Sequence, residues 1–264
     1  MDLKELCSKV CSIVEETGIF VREERKNFSA SKDVEIKGHS NFVTYIDKAS
    51  EERLVKALGS LLPGSGFIAE EGTSDTKGEI YNWVIDPIDG TTNFIHGLSP
   101  HAISVALMRN DVVVLGVVYE ISQGEMFCAW EGNNAFRNGE VISVSGGSEH
   151  QQALIVTGFP YANFEHLDAY LATLKELMEK TAGIRRLGSA ATDLCYVACG
   201  IFEAFWEYNL SPWDVAAGAF IVKQAGGKVC DFSGGDNYLF GGEIIATNNA
   251  YFDKFYEIVN NQLG

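Results

Sequence analysis

Apolar residues near the start of the chain recur with a helical period. Leu3, Leu6, Cys7, Val10, Val14 and Thr17 fall at three- and four-residue steps, which predicts an amphipathic helix over residues 3–27. A second helix is expected from about Lys48 to Leu61, stopping before Pro63-Gly64. Short apolar runs follow: Phe67-Ile68-Ala69 delivers Glu70-Glu71, and Trp83-Val84-Ile85 delivers Asp86. The pattern then becomes β-rich, with Ala102–Met108 and Val112–Glu120 joined by the tight turn Arg109-Asn110-Asp111, then Glu125–Trp130 and a hairpin signal at Asn138-Gly139. Ser145-Gly146-Gly147-Ser148 is the one plausible linker. Beyond it strands (153–157, 183–187, 203–207, 227–231, 243–247) interleave with helices (164–181, 190–200, 213–225, 249–262). An α+β half, residues 1–145, therefore precedes an α/β half, residues 146–264.

Composition narrows what such a chain can be. Its 264 residues are 46% hydrophobic and 21% charged, a globular balance with enough chain for a substantial core. Lys and Arg number 20 against 36 Asp and Glu, a net charge of −16, which argues against coating nucleic acid or anionic lipid. The most apolar stretch, Ala102 to Tyr119, is broken by Arg109-Asn110-Asp111 and falls short of a membrane span. The amino terminus Met1-Asp2-Leu3-Lys4-Glu5 has no basic region before an apolar core, so a cytoplasmic location is expected. Cys7/Cys11 and Cys195/Cys199 are each spaced to share a helix face. No Cys-x-x-Cys occurs and no His is suitably spaced, so the six cysteines read as reduced core thiols.

Candidate chemistry concentrates where apolar segments end in acids. In Asp86-Pro87-Ile88-Asp89-Gly90-Thr91-Thr92 the strand cannot continue through Pro87, and a turn can aim Asp86 and Asp89 at one point. Gly90 allows close backbone approach, and the amides of Gly90, Thr91 and Thr92 would open a short helix, an anion-binding arrangement. Carboxylates beside an anion site conflict unless cations lie between, and Mg²⁺ resolves the conflict. An Asp-Pro turn with a helix cap is the plainer alternative. Asp214, after Trp213 and before the small residues Val215-Ala216-Ala217-Gly218, is likewise either a capping acid or a further ligand.

Asp47, Glu70-Glu71, Asp86-Pro-Ile-Asp89-Gly-Thr91 and Trp213-Asp214-x-x-Ala-Gly, taken in order, resemble the signature of the Mg²⁺-dependent, lithium-sensitive phosphatases. Within that superfamily the chain most resembles inositol monophosphatase, over Trp83–His96 and Trp213–Gly227. Thr157-Gly-Phe-Pro-Tyr161 and Arg185-Arg186-Leu-Gly188-Ser-Ala-Ala191 resemble the bacterial branch. Asn41, where the pattern has Asp, and Pro100, one place late after His96, depart from it.

The resemblance implies a layered αβαβα sandwich, the sugar phosphatase fold. It implies two or three Mg²⁺ per active site, held by Glu70, Asp86, the Ile88 carbonyl, Asp89 and Asp214. Glu70 and Thr91, the latter held by Asp47, would activate the attacking water. Asp89, Gly90, Thr91, Gly188, Ser189, Ala190, Glu207 and Lys37 would meet the substrate. The implied reaction is hydrolysis of a small phosphorylated polyol or sugar, foremost inositol monophosphate, by a homodimer. Fructose-1,6-bisphosphatase, bisphosphate nucleotidase and histidinol phosphatase share the chemistry. A regulatory, protein-binding role on the same fold belongs to another class. Arg185 and Arg186 could cross a subunit interface or pair with local acids, and His96 and His101 read as structural.

Overall fold

The protein was analysed as a computed structural model, which describes residues 1–28, 34–38, 41–74, 76–161 and 164–264; the side chains of 34–38 and 41–43 lie outside the description. Helix α1 spans Leu3–Arg25, followed by β1 (Val34–Gly38), β2 (Asn41–Thr44) and α2 (Tyr45–Leu61). Then come β3 (Gly66–Ala69), β4 (Tyr81–Asp89), the short α3 (Thr91–His96), β5 (Ala102–Arg109), β6 (Val112–Glu120), β7 (Glu125–Trp130), β8 (Ala135–Arg137) and β9 (Glu140–Ile142). The remainder comprises β10 (Leu154–Thr157), α4 (Leu167–Lys180), β11 (Gly183–Arg185), α5 (Ala190–Ala198), β12 (Ala204–Tyr208), α6 (Pro212–Gln224), β13 (Lys228–Cys230), β14 (Glu243–Thr247) and α7 (Phe252–Leu263).

Strands β3 to β9 form a seven-stranded sheet in sequence order, antiparallel except for the β3–β4 pair. A second sheet runs β11-β10-β12-β14-β13, parallel across its first three strands and antiparallel across the rest. Strand alternation sends successive side chains to opposite faces. On β7, Phe127 and Ala129 point into the core shared with α5 and α6, whereas Met126, Cys128 and Trp130 point to the core under α1 and α2. On β12, Phe205 joins the α5/α6 core, while Ala204, Trp206 and Tyr208 face α4 and α7. The layers are thus α1/α2, sheet, α5/α6, sheet, α4/α7: the expected αβαβα sandwich.

The middle helices are small-faced where they meet their neighbours. A Cβ on Gly116 of β6 would lie 2.8 Å from the Ala217 carbonyl oxygen of α6, and one on Gly218 would lie 2.7 Å from Leu194 of α5. The small residues after Asp214 therefore serve close packing. Three helix starts differ from expectation by three residues: α4 and α7 begin after 164 and 249, and α2 begins before Lys48. Thr44 caps it, and Asp47 at the third helical position completes a capping box, a signal stronger than the apolar pattern used to place the start. The ribbon β1–β2 was also not anticipated.

Candidate active site

Strand β4 continues through Pro87 to Asp89, contrary to the expectation that Pro87 ends it, but its pairing with β5 breaks register there: Asp86 faces Ser104 and Asp89 faces Ala102. The interruption is the Pro87 step, where Pro lacks a ladder donor. The Ile88 amide donates to Asp86 Oδ1 at 2.9 Å, closing the turn. Gly90 follows at φ 90°, a left-handed conformation that a side chain disfavours, and a Cβ there would lie 2.9 Å from the Gly188 carbonyl. The backbone then enters α3, whose first-turn amides have no intrahelical acceptor. The turn thus places two carboxylates and a helix start side by side.

Asp214 arrives from the other half of the chain. Ser104 Oγ donates to the Trp213 carbonyl at 3.0 Å, tying β5 to the first turn of α6. Asp214 accepts the Ser211 amide with Oδ2 at 2.6 Å, a capping-box contact. Carboxylate oxygens of Asp86, Asp89 and Asp214 all lie within 4.8 Å of one another. Asp89 Oδ2 sits at the start of α5, accepting from Ser189 Oγ at 2.6 Å and the Ala191 amide at 2.7 Å. Glu70, at the end of β3, lines the same cleft of about 640 Å³.

Three acids packed so closely resist ionisation. Burial raises Asp86 well above the carboxylate range, and the charges of Glu70, Asp89 and Asp214 raise it further. Burial pushes Asp214 up to about 7, with Asp89 adding to it. Asp89 rises only to about 6, because Ser189 and the Ala191 and Ala190 amides oppose its burial. The donor set is all oxygen, which suits a hard divalent cation, and such a cation would relieve the repulsion. The residues present therefore fit Mg²⁺.

Around this cluster the structure brings together most of the residues the sequence singled out. Ile88, Gly90, Thr91, Gly188, Ser189, Ala190 and Glu207 all line the cleft with Glu70, Asp86, Asp89 and Asp214. Thr91 Oγ1 is 2.9 Å from the Ile88 carbonyl and 3.2 Å from Asp47 Oδ1. Asp47 stands behind Thr91, and its Oδ2 accepts from Thr44 N and Oγ1 at 2.9 and 2.5 Å. Burial lifts Asp47 to about 6 against those donors. One turn along α2, the fully buried Glu51 accepts the amides of Glu71 at 2.7 Å and Thr73 at 2.8 Å, fixing the chain that follows Glu70. The side chain of Lys37 and that of Asn41 lie outside the described residues.

Asp193 and Glu51 went unread in the sequence, which leaves Arg186 between a subunit interface and local acids. Arg186 faces into the cleft, donating to the Tyr161 hydroxyl and lying 5.8 Å from the Phe159 ring centroid, whereas Arg185 points to solvent. Its charge opposes the raised pKa of Asp89, Asp193 and Glu207. Asp193 is buried in α5 with neither carboxylate oxygen hydrogen-bonded among the described residues, and burial raises it well above its usual range. An acid four residues after the cap Ser189, inside an apolar helix, was the available signal. Glu51 looked like a surface acid mid-helix. Of the histidines, His101 is buried, with Nδ1 3.1 Å from the Leu98 carbonyl oxygen and its ring against Phe94, a structural placement; neither it nor His96 lines the cleft.

Comparison with known proteins covers nearly the whole chain. Residues 2–263 match the model of the inositol monophosphatase family. A relative from Neisseria meningitidis serogroup B, named putative Nus factor SuhB, is 44% identical over 85% of this chain and 86% of its own. An inositol-1-monophosphatase from Mesorhizobium japonicum is 38% identical over 81% of each chain. Among solved structures, the extragenic suppressor protein SuhB of Bartonella henselae superposes with a TM-score of 0.92 at 32% identity, covering 98% of this chain and all of that one.

Proposed function

The chain belongs to the inositol monophosphatase family, and from that premise we propose that it hydrolyses a small phosphate monoester, foremost inositol monophosphate, with Mg²⁺. The observation that carries this reading is the pairing of a helix start, at Gly90 and Thr91, with acids whose burial and mutual charge resist ionisation. Without cations that cleft repels a phosphate; with them it attracts one. Glu70, Asp86, Asp89, Asp214 and the Ile88 carbonyl would hold the ions. Bound there, Mg²⁺ supplies positive charge to the phosphoryl oxygens and acidifies the attacking water.

The chain's own groups do the rest. The Gly90 and Thr91 amides bind phosphate oxygens. Thr91 has one hydroxyl proton and two acceptors, Ile88 O and Asp47 Oδ1. If the Ile88 carbonyl served as a ligand, Asp47 would be the acceptor left to Thr91, and the lone pairs of Thr91 would face the water. Glu70 takes a proton from that water as it attacks phosphorus. The ester P–O bond breaks, and the leaving oxygen takes a proton from solvent to depart as the alcohol. Burial raises the Glu207 carboxyl well above its usual range, and from the cleft wall it would meet a polyol hydroxyl. Gly188, Ser189 and Ala190 leave room for the ring.

Phosphate release measured with Mg²⁺ over inositol phosphates, fructose 1,6-bisphosphate, adenosine bisphosphates and histidinol phosphate tests the reading. Highest kcat/KM on inositol monophosphate is expected; a best substrate elsewhere in the panel shifts the assignment within the chemistry, and no hydrolysis of any member removes it. The name Nus factor on the Neisseria relative supports a second role, regulatory and protein-binding, carried on the same fold. Complementation by a catalytically dead Asp214→Asn chain in a strain lacking the protein would separate the two. The site lies within one chain, and assembly as a homodimer in the cytoplasm completes the proposal.

A further inference from the structure

Away from the cleft, the core under α1 gathers a second set of metal-ligating atoms. Cys7 and Cys11 lie one turn apart on α1, and Cys128 comes up from β7 on the face that points to that helix. The three sulfurs all lie within 4.8 Å of one another. All six cysteines are free thiols, and none of these three lines the cleft. Cys7 is 1% exposed, whereas Cys11 and Cys128 are half-buried, so the cluster has a closed floor and an open side.

We propose that Cys7, Cys11 and Cys128 form a binding site for a thiophilic d¹⁰ cation, taking Zn²⁺ as three thiolates with water at the open fourth position. Three sulfurs each about 2.3 Å from one ion lie roughly 3.8–4.0 Å apart, so the native cluster closes on the ion by small side-chain motions. The ligand chemistry excludes the ion of the cleft: thiolates select soft cations and leave Mg²⁺ in water. Zn²⁺ lowers the net charge of three thiolates from −3 to −1. The Cys11 and Cys7 thiols hydrogen-bond Cys128 and lower its thiol from the usual range. Binding expels the remaining thiol protons to solvent, so no oxidant or reductant enters, and affinity rises with pH. The bound ion fastens the amino-terminal helix to β7.

The test uses the full chain, reduced, with chelator removed, and Co²⁺ as a spectroscopic probe. A sulfur-to-cobalt charge-transfer band with intense tetrahedral d–d bands, saturating at one equivalent and bleached by Zn²⁺, is expected. Cys128→Ser and Cys11→Ser should lose the band, whereas Cys199→Ser and Asp214→Asn should keep it. With Mg²⁺ saturating the carboxylate cleft, added Zn²⁺ should raise the Tm of the native chain and not that of Cys128→Ser. No thiolate band in the reduced native chain, or a band surviving in folded Cys128→Ser, overturns the proposal. Phosphate release plays no part in the readout, so failure here and failure of the phosphatase reading are separate events.

Discussion

The two ligand clusters of this molecule sit around one sheet and differ in how they are made. The carboxylates Asp86, Asp89 and Asp214 meet at strand and helix ends, where backbone amides satisfy part of each. The thiols Cys7, Cys11 and Cys128 meet mid-element, on a helix face and a strand face, inside an apolar core. The first arrangement opens onto a cleft of about 640 Å³, large enough for a substrate. The second faces no such cleft. The proposed reaction centre and the proposed fastening point thus differ in where along an element their side chains fall.

The largest effect should separate the clusters outright. Replacing Asp214 by Asn removes a charge beside Asp86 and Asp89 and should lower kcat/KM by about a hundredfold or more, with the Mg²⁺ requirement weakened; full activity with unaltered Mg²⁺ dependence would sink the ligand assignment. Thr91→Ala keeps the amide and every carboxylate, and should cut kcat by about tenfold or more at nearly unchanged KM, the pattern of an interaction made in the transition state. If Thr91 only supports the helix start, the variant will instead lose about 1 kcal/mol of stability with kcat intact; steady-state kinetics beside a melting curve decides.

A smaller change is expected at the substrate rim. A Cβ on Gly158 would lie 2.0 Å from Glu207 Oε1, so Gly158→Ala must displace that carboxyl. KM for a polyol phosphate should rise several-fold, with less change for an aryl phosphate lacking the hydroxyls; equal loss on both would argue that Glu207 does not touch the polyol.

Proton linkage gives the next test. Asp214 at about 7 and Asp89 at about 6 hold protons in the folded chain that the unfolded chain releases near 3.8. Their contribution to stability is therefore complete below pH about 4 and is lost as pH rises through 6 to 7. In chelator, the Tm should fall over that window, and Mg²⁺ should raise it most above pH 7, where the acids are ionised. Asp214→Asn should flatten the slope; an unchanged slope would place the titration elsewhere. The smallest effect belongs to the other cluster: Cys128→Ser should leave phosphate release within about twofold, since no group near the reacting atoms changes. A larger fall would join the two clusters functionally.

The same contrast explains what could be read from the sequence. The acids were visible because each terminates an element, where a short motif carries both spacing and context. Asp47, Asp89 and Asp214 also show why capping and ligand readings could not be told apart in advance: one oxygen of each serves a helix start, and the other faces Thr91 or the cluster. The layers were legible because apolar runs were cleanly punctuated by Pro63-Gly64, Asn138-Gly139 and the turn at 109–111. Cys128 carried no local sign of its partners, because strand pairing and the docking of α1 bring it to them. Arg186 resembled its neighbour Arg185 until the turn into Gly188 sent one to the cleft and the other to water. The start of α2 was misplaced because its cap outweighed its apolar stripe.

Helix α2 holds Thr91 through Asp47 and the residues after Glu70 through Glu51, from adjacent turns of one cylinder. The same two positions are also tied to β4: the Glu70 amide donates to the Ile85 carbonyl at 3.3 Å and Thr91 Oγ1 to the Ile88 carbonyl at 2.9 Å. Each is thus braced twice, from the helix behind and from the strand beneath. Such double bracing works like a truss, in which neither member alone sets the gap across which the water would be held.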